Sequence, residues 1–294
     1  MKSRLLKTLW AGNGRRYGRL LLLIGLVIAI TGCDVIISED AQGRNAQVVI
    51  APPVTAYVKP KILEARVHDA ACYTQGLLPY NGVFYESCGQ YGKSALRKVD
   101  PKTGAVLKNI DIPAEYFAEG LALVGNRLIQ LTWKEQVAFV YDVDTFDKVG
   151  EFKYEGEGWG LCYDGDKLYM SNGSDNLYVR DPQTFQLERT IPVKLLDEPV
   201  FQLNELECVG SSVYANIYMT DHIVKINKET GRVASFIDAS QLLVDGYSQL
   251  SQQQIALLQQ RNVLNGISYD ADTGDFMLTG KLWPVLFVVR LDER

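Results

Sequence analysis

Five residues of this chain occupy matching places in a recurring pattern, and their types suit chemistry better than packing. They are Gln75, Glu119, Trp159, Asn204 and Asn265, followed in turn by Gly76-Leu77, Gly120-Leu121, Gly160-Leu161, Glu205-Leu206 and Gly266-Ile267. One carboxyl group, three carboxamides and one indole make a polar and aromatic set, not a core set. A sheltered carboxyl can carry a proton from one reacting atom to another. Glu119 is therefore the candidate acid–base group. The alternative is a channel-lining Glu that only pairs with Lys281.

Other chemistries are closed by what the chain lacks. It has only His68 and His222, and no HExxH or CxxC pair, so a zinc centre is not expected. There is no GxSxG, and a Ser-His-Asp triad would have to draw on those same two histidines. The run Gly156-Glu157-Gly158-Trp159-Gly160 lacks the Lys-Ser/Thr of a phosphate loop and reads as a tight turn. The formal net charge is −5; six basic residues lie among the first 19, so the remainder sits near −11. An acidic domain is poorly suited to phosphate contacts, which argues against a nucleic-acid partner.

The elements that must position the five residues repeat with them. The starts of the five patterns are spaced by 44, 40, 45 and 61 residues. Each is followed by a turn and a second apolar run, such as Val83-Phe84-Tyr85 or Phe276-Met277-Leu278. Short strands repeating every ~40–50 residues predict an all-β, five-bladed β-propeller with one four-stranded blade per repeat. The five residues would then stand at one end of the innermost strands, around a central channel. Turns at Asp100-Pro101-Lys102-Thr103-Gly104, Asp144-Thr145-Phe146, Asp181-Pro182-Gln183-Thr184-Phe185 and Asn227-Lys228-Glu229-Thr230-Gly231 mark the outer hairpins. Ile62 to Val67 reads as a strand that completes the last blade, removing a free edge. The long spacing before the fifth repeat holds a helical insertion. Ser240 is expected to cap its first helix and Ser251 to begin a second, amphipathic one. Placed between blades, these helices could cover one mouth of the channel.

The N-terminus reads as an export signal over residues 1–33. A basic region ends at Arg19, an apolar run covers Leu20 to Ile30, and Ile30-Thr31-Gly32-Cys33 follows. That ending resembles the bacterial lipobox, with Cys33 as the lipidated residue. The alternative is an ordinary signal peptide with an incidental Cys33. The expected location is the periplasmic side of a bacterial membrane, lipid-anchored, with Asp34 favouring the inner membrane. Residues 34–60 are expected to be a tether, punctuated by Pro52, Pro53 and Pro60, and 61–294 the propeller. Cys72, Cys88, Cys162 and Cys208 allow two disulfides, Cys72–Cys88 across the Asn81-Gly82 hairpin and Cys162–Cys208 between neighbouring repeats, or four buried thiols.

From about residue 62 onward the motifs resemble a known family. They are Tyr73-Thr74-Gln75-Gly76-Leu77, Glu86-Ser87-Cys88-Gly89, Phe117-Ala118-Glu119-Gly120-Leu121, Leu131-Thr132-Trp133, Leu203-Asn204-Glu205-Leu206-Glu207, Val263-Leu264-Asn265-Gly266-Ile267 and Thr279-Gly280-Lys281-Leu282-Trp283-Pro284. In this order they are similar to the plant-type glutaminyl-peptide cyclotransferases, which also occur in bacteria. The resemblance implies a five-bladed propeller that converts the N-terminal Gln of peptides or proteins to pyroglutamate and releases ammonia. Animal glutaminyl cyclases do this on an unrelated zinc-dependent fold, and the shortage of His here fits the plant type.

The resemblance also implies roles. Glu119 would shuttle the proton, and Lys281 would polarise the γ-carbonyl or stabilise its oxyanion. Trp133 and Trp159 would wall the pocket, while Gln75, Asn204 and Asn265 would bind substrate. Each has a plainer alternative: core tryptophans, and carboxamides that tie channel backbone. Two departures stand out. Tyr218 follows Asn216-Ile217 where the family usually has Trp, and Cys88 replaces a usual Thr or Ser. Glu205 and Glu207 stay unassigned, since alternation turns only one of two neighbouring strand faces toward the channel. No cofactor or catalytic metal is implied, a structural calcium is left open, and the chain is expected to be a monomer.

Two other readings compete. A propeller that has lost catalysis could serve as a binding or assembly module in the cell envelope, since this fold hosts many non-enzymes. A lyase or lactonase with a channel metal would need several converging carboxylates, and the five positions supply one.

Overall fold

The computed structural model describes residues 35–38, 47–50, 56–258 and 263–292, and of the first two stretches the backbone alone. Cys33 and the expected export signal lie outside the described residues. The chain divides into two units, Met1–Pro53 and Val54–Arg294. In the first, Val35–Ser38 pairs antiparallel with Gln47–Ile50. No helix among the described residues is long and apolar enough to cross a membrane.

The second unit is the five-bladed propeller. Blade one comprises Thr74–Tyr80, Val83–Cys88, Ala95–Val99 and Val106–Asp111, each antiparallel to the next. Blade two runs from Ala118–Val124 to Lys148–Lys153, and blade three from Leu161–Tyr163 to Leu187–Pro192. Blade four begins at Leu203–Val209 and blade five at Leu264–Tyr269. The innermost strands pack side by side around the ring, the fifth against the first.

Local chemistry makes the hairpins. Asn81 and Gly82 both adopt positive φ (49° and 74°), the backbone that a two-residue hairpin turn requires. In the outer hairpins Asp100, Asp142, Asp181 and Asn227 each accept hydrogen bonds from backbone N–H groups two and three residues ahead. These side chains are turn-makers, as expected for Asp100, Asp181 and Asn227; in blade two the acceptor is Asp142, two residues before the Asp144 at which the sequence pattern starts the turn.

Apolar faces of adjacent blades meet in five seams. Leu121, Leu128 and Phe139 meet Tyr85 and Leu96 between blades one and two. Leu77 and Phe84 meet Met277 and Leu286 between blades one and five. Burying each such Leu or Phe contributes about 1.5–3 kcal/mol. The strand Lys61–Val67 pairs antiparallel with Val285–Arg290 and supplies the outer edge of blade five, as expected.

Two expectations change. The tether ends before residue 60, because Ala56–Val58 pairs in parallel with Val233–Asp238 and adds a fifth strand to blade four. Buried Val58 and the contact of Tyr57 with Phe236 (5.6 Å between ring centres) hold it there, covering an otherwise open edge. The insertion helices seat on blades four and five, and none of their residues lines the cavity that holds Glu119. Leu242 and Leu250 join the apolar cluster shared by blades four and five, and Gln254 Nε2 donates to the Pro284 carbonyl (3.1 Å). Ser251 caps the helix Gln252–Leu257 through a capping box with Gln254. Ser240 caps nothing; the helix Leu242–Asp245 starts from Gln241 without a side-chain cap.

The glycines that follow four of the five repeat positions, Gly76, Gly120, Gly160 and Gly266, are required by crowding at the ring's centre. A Cβ at Gly160 would stand 2.0 Å from the Asn204 carbonyl oxygen and 2.8 Å from Leu206 Cγ. Gly160→Ala is therefore expected to push blades three and four apart at the pocket. A loss of roughly 1–3 kcal/mol should appear as a lower melting temperature, together with a raised KM as Asn204 moves. Unchanged melting would show that the ring can absorb the methyl group.

Candidate active site

One mouth of the ring holds a cavity of about 170 Å3 lined by Tyr73, Gln75, Phe117, Glu119, Trp133, Trp159, Asn204, Tyr218 and Lys281. Four of the five repeat positions thus reach the same space. Each precedes or opens an innermost strand, so the same register in successive blades delivers a side chain to the same end of the ring. The fifth, Asn265, stands one step back. Its Nδ2 donates to the Thr74 carbonyl (2.9 Å) and to Gln75 Oε1 (3.2 Å).

Glu119 is buried at the base of this space. Gln75 Nε2 donates to Glu119 Oε1 at 3.0 Å, so the chain Asn265–Gln75–Glu119 fixes the carboxyl group's orientation. Lys281 is also buried, with its ammonium over the rings of Tyr73 (4.9 Å) and Tyr218 (4.7 Å). The loop that presents it is anchored by backbone bonds from Lys281 N to Val263 O and from Leu282 N to Cys72 O. Tyr218, which stands where a Trp is more usual, brings a hydroxyl-bearing ring to the same ammonium as Tyr73. Asn204 Oδ1 is buried without a protein partner, an unused acceptor in a site built for polar groups.

Electrostatics follow burial. Desolvation pushes the Glu119 carboxyl well above the usual range; Lys281 opposes the shift, while Glu157 and Glu135 add to it. Desolvation lowers the Lys281 ammonium to about 8, against the pull of Glu119 and Glu205. Burial, with Tyr218 and Glu119 nearby, raises the Tyr73 phenol. A carboxyl weakened as an acid by burial, near a softened ammonium, is a pair suited to moving protons.

Three residues of this site were not singled out from sequence. Tyr73 and Phe117 lie inside motifs quoted above, but a strand-end pattern cannot tell which flanking aromatics turn inward. Glu157 sits in what reads as a tight turn, and its carboxylate meets the indoles of both pocket tryptophans. Nothing in the linear spacing signals that convergence.

Glu205 stands where the other four repeats have glycine, and its role becomes readable. Its carboxylate accepts from Ile267 N (2.8 Å) and Leu77 N (3.4 Å), reaching blades five and one across the ring below the pocket. Burial and Glu207 raise its pKa well above the usual range. Glu207 accepts from Tyr269 N (2.9 Å), and burial pushes it up to about 8. Both are keystones between blades, away from the cavity.

Both cysteine pairs are bonded, Cys72–Cys88 and Cys162–Cys208, with Cα atoms 5.1 and 5.5 Å apart. The first braces the hairpin beneath Tyr73 and the loop of Lys281; the second joins the innermost strands of blades three and four. Among the described residues, Cys72, Glu86 and Cys88 cluster closely enough to suggest a metal. Their sulfurs are spent on each other, and Glu86 is bonded to buried His68 (2.8 Å) and Thr74 (2.8 Å). A larger surface groove of about 480 Å3 between blades one and five includes Asp270 and Asp275, but Asp275 is held by Arg290 and Asp270 by its own turn.

Comparison with known proteins agrees with this geometry. The family model described as glutamine cyclotransferase matches residues 33–291. The chain is 39% identical over 232 residues to a glutaminyl-peptide cyclotransferase of Arabidopsis thaliana, covering 77% of this chain and 69% of that protein. It superposes on the crystal structure of a glutaminyl cyclase from Myxococcus xanthus with a TM-score of 0.72 and 36% identity, covering 81% of this chain and 98% of the other. Ring, pocket and sequence together show that this chain is an enzyme belonging to the glutamine cyclotransferase family.

Proposed function

We propose that this enzyme cyclises the N-terminal Gln of peptides or proteins through Glu119, without a catalytic metal. The observation that carries the proposal is a single buried pocket carboxyl facing a buried Lys281 and an unpartnered Asn204 oxygen. The substrate's Gln side chain folds back so that its α-nitrogen approaches its own γ-amide carbon. Trp133, Trp159 and Phe117 wall that folded shape, which favours a near-attack geometry. Glu119 takes the proton the α-amine loses as the new C–N bond forms. It then returns a proton to the amide nitrogen as the old C–N bond breaks, and ammonia leaves. Lys281 stabilises negative charge on the γ-carbonyl oxygen. Asn204 Oδ1 accepts an N–H of the substrate, and Asn265 acts at one remove by holding Gln75.

No step asks for a metal, since one carboxyl, one ammonium and neutral amides are a poor donor set for a cation. The expected substrates are exported chains, the enzyme being anchored through Cys33; the N-terminal pattern alone carries that part, and the mass of the mature N-terminus checks it. The test of the reaction is ammonia release from a Gln-initiated dipeptide by the full-length chain in mild detergent, with and without EDTA. Equal release in both, matched by pyroglutamyl product, is the expected result. A folded protein inert on several Gln-peptides would hand the site to the binding-module reading.

A further inference from the structure

Two tryptophans carried by different blades meet on one oxygen atom. Glu157 Oε2 accepts from Trp133 Nε1 at 2.8 Å and from Trp159 Nε1 at 3.0 Å. Trp133 follows the second strand of blade two, and Trp159 precedes the first strand of blade three. The carboxylate is placed there by a stiff turn. Gly156 has φ +82°, and a Cβ on Gly158 would stand 2.3 Å from the Tyr154 hydroxyl. Gly158 N also donates to the Trp133 carbonyl (2.9 Å).

The remaining edges of both rings are held by packing. A Cβ at Gly173 would press on the Trp159 six-membered ring at 2.6 Å, and Tyr218 meets that indole edge-on at 5.5 Å. Trp133 lies against Phe117 (5.7 Å), with the Lys134 ammonium over its face at 3.8 Å. Indole N–H groups only donate, and bonds to an ionised acceptor are the stronger kind.

We propose that Glu157 is the positioning residue of this pocket, clamping both indoles to set the width of the slot in which the Gln side chain folds. This rests on the cyclase reading for its catalytic consequence but not for the clamp itself. Glu157 does not line the pocket that Glu119 enters, and its ion pair with Lys134 (3.8 Å) is solvent-exposed and weak. Its charge has a second effect on Glu119. The charged and titratable groups acting on Glu119 are Lys281, which favours its ionised form, and Glu157 and Glu135, which oppose it. Tyr73, Tyr91 and Tyr154 also feel the Glu119 charge.

The test compares the full-length unaltered chain with Glu157→Ala and Glu157→Gln. Three readouts are taken: kcat and KM on a Gln-dipeptide, the pH profile of kcat/KM, and acrylamide quenching of tryptophan emission. Glu157→Ala frees both indoles, so kcat/KM is expected to fall about 100-fold, mostly in kcat, with quenching increased. Glu157→Gln keeps an acceptor oxygen and removes a like charge near Glu119. It should lose less activity and move the acid limb of its profile to lower pH; the substrate's own amine cancels in that difference. Should Glu157→Ala fail to fold, Glu157→Gln still decides the matter through its tryptophan quenching and kcat/KM. Wild-type kcat/KM, quenching and acid limb in the folded variants would overturn the proposal. If the unaltered chain proves inert, the cyclase reading fails and quenching alone decides whether the clamp exists.

Discussion

Glu119→Gln is expected to lower kcat for ammonia release by roughly 10^3 to 10^4, near the top of the range for a general acid–base group. The reason is that one carboxyl serves twice, first as acceptor and then as donor. Gln matches Glu in shape, so the Gln75 contact can re-form through an oxygen and the pocket keeps its walls. KM should therefore change little while kcat collapses. The pH profile adds a second check. In the unaltered enzyme the acid limb reports Glu119 losing its proton, and desolvation places that event well above the ordinary range. Activity thus falls as pH drops through this raised value, earlier than an exposed Glu would require. A variant that kept a tenth of the wild-type kcat would remove Glu119 from the shuttle role.

Lys281→Met is expected to cost about 10^2 to 10^3 in kcat, the usual loss on removing an oxyanion donor. Its profile should change at both ends. Lys281 loses its charge near pH 8, so the unaltered enzyme should decline above that value, and the variant should lack this limb. The ammonium also favours ionised Glu119; without it, the acid limb moves to higher pH. That sign is opposite to the one expected for Glu157→Gln, where a negative charge is withdrawn. Two neighbours of opposite charge thus move one titration in opposite directions, which a general loss of structure would not do. An unchanged alkaline limb in Lys281→Met would assign that limb to the substrate or another group.

Much of the ring is legible in one dimension because its determinants are local. Turn residues act within four positions, and strand alternation acts within two. A blade is one short supersecondary unit, so its signature repeats at blade length and the count of five follows. Register then places Gln75, Glu119, Trp159 and Asn204 at the same end of successive strands. The closing strand Lys61–Val67 is legible for a related reason: the fifth repeat is one strand short, and an open edge must be covered.

What the tertiary structure decided depends on groups far apart in the chain. Glu157 meets two indoles only because two blades bring them to one side of a turn. Glu205 accepts N–H groups from residues 128 and 62 positions away, so its break in the glycine pattern has no meaning until the ring closes. Asn265 shares the repeat position yet supports Gln75 from behind, since fivefold order at the strands is not fivefold order of side chains. Ala56–Val58 and the two helices found their seats on blades four and five through apolar contacts that no local rule addresses. The repeat, the candidate acid and the turns came from residues acting on their neighbours. The width of the slot, the charges around Glu119 and the bracing beneath it came from closing five blades into one ring.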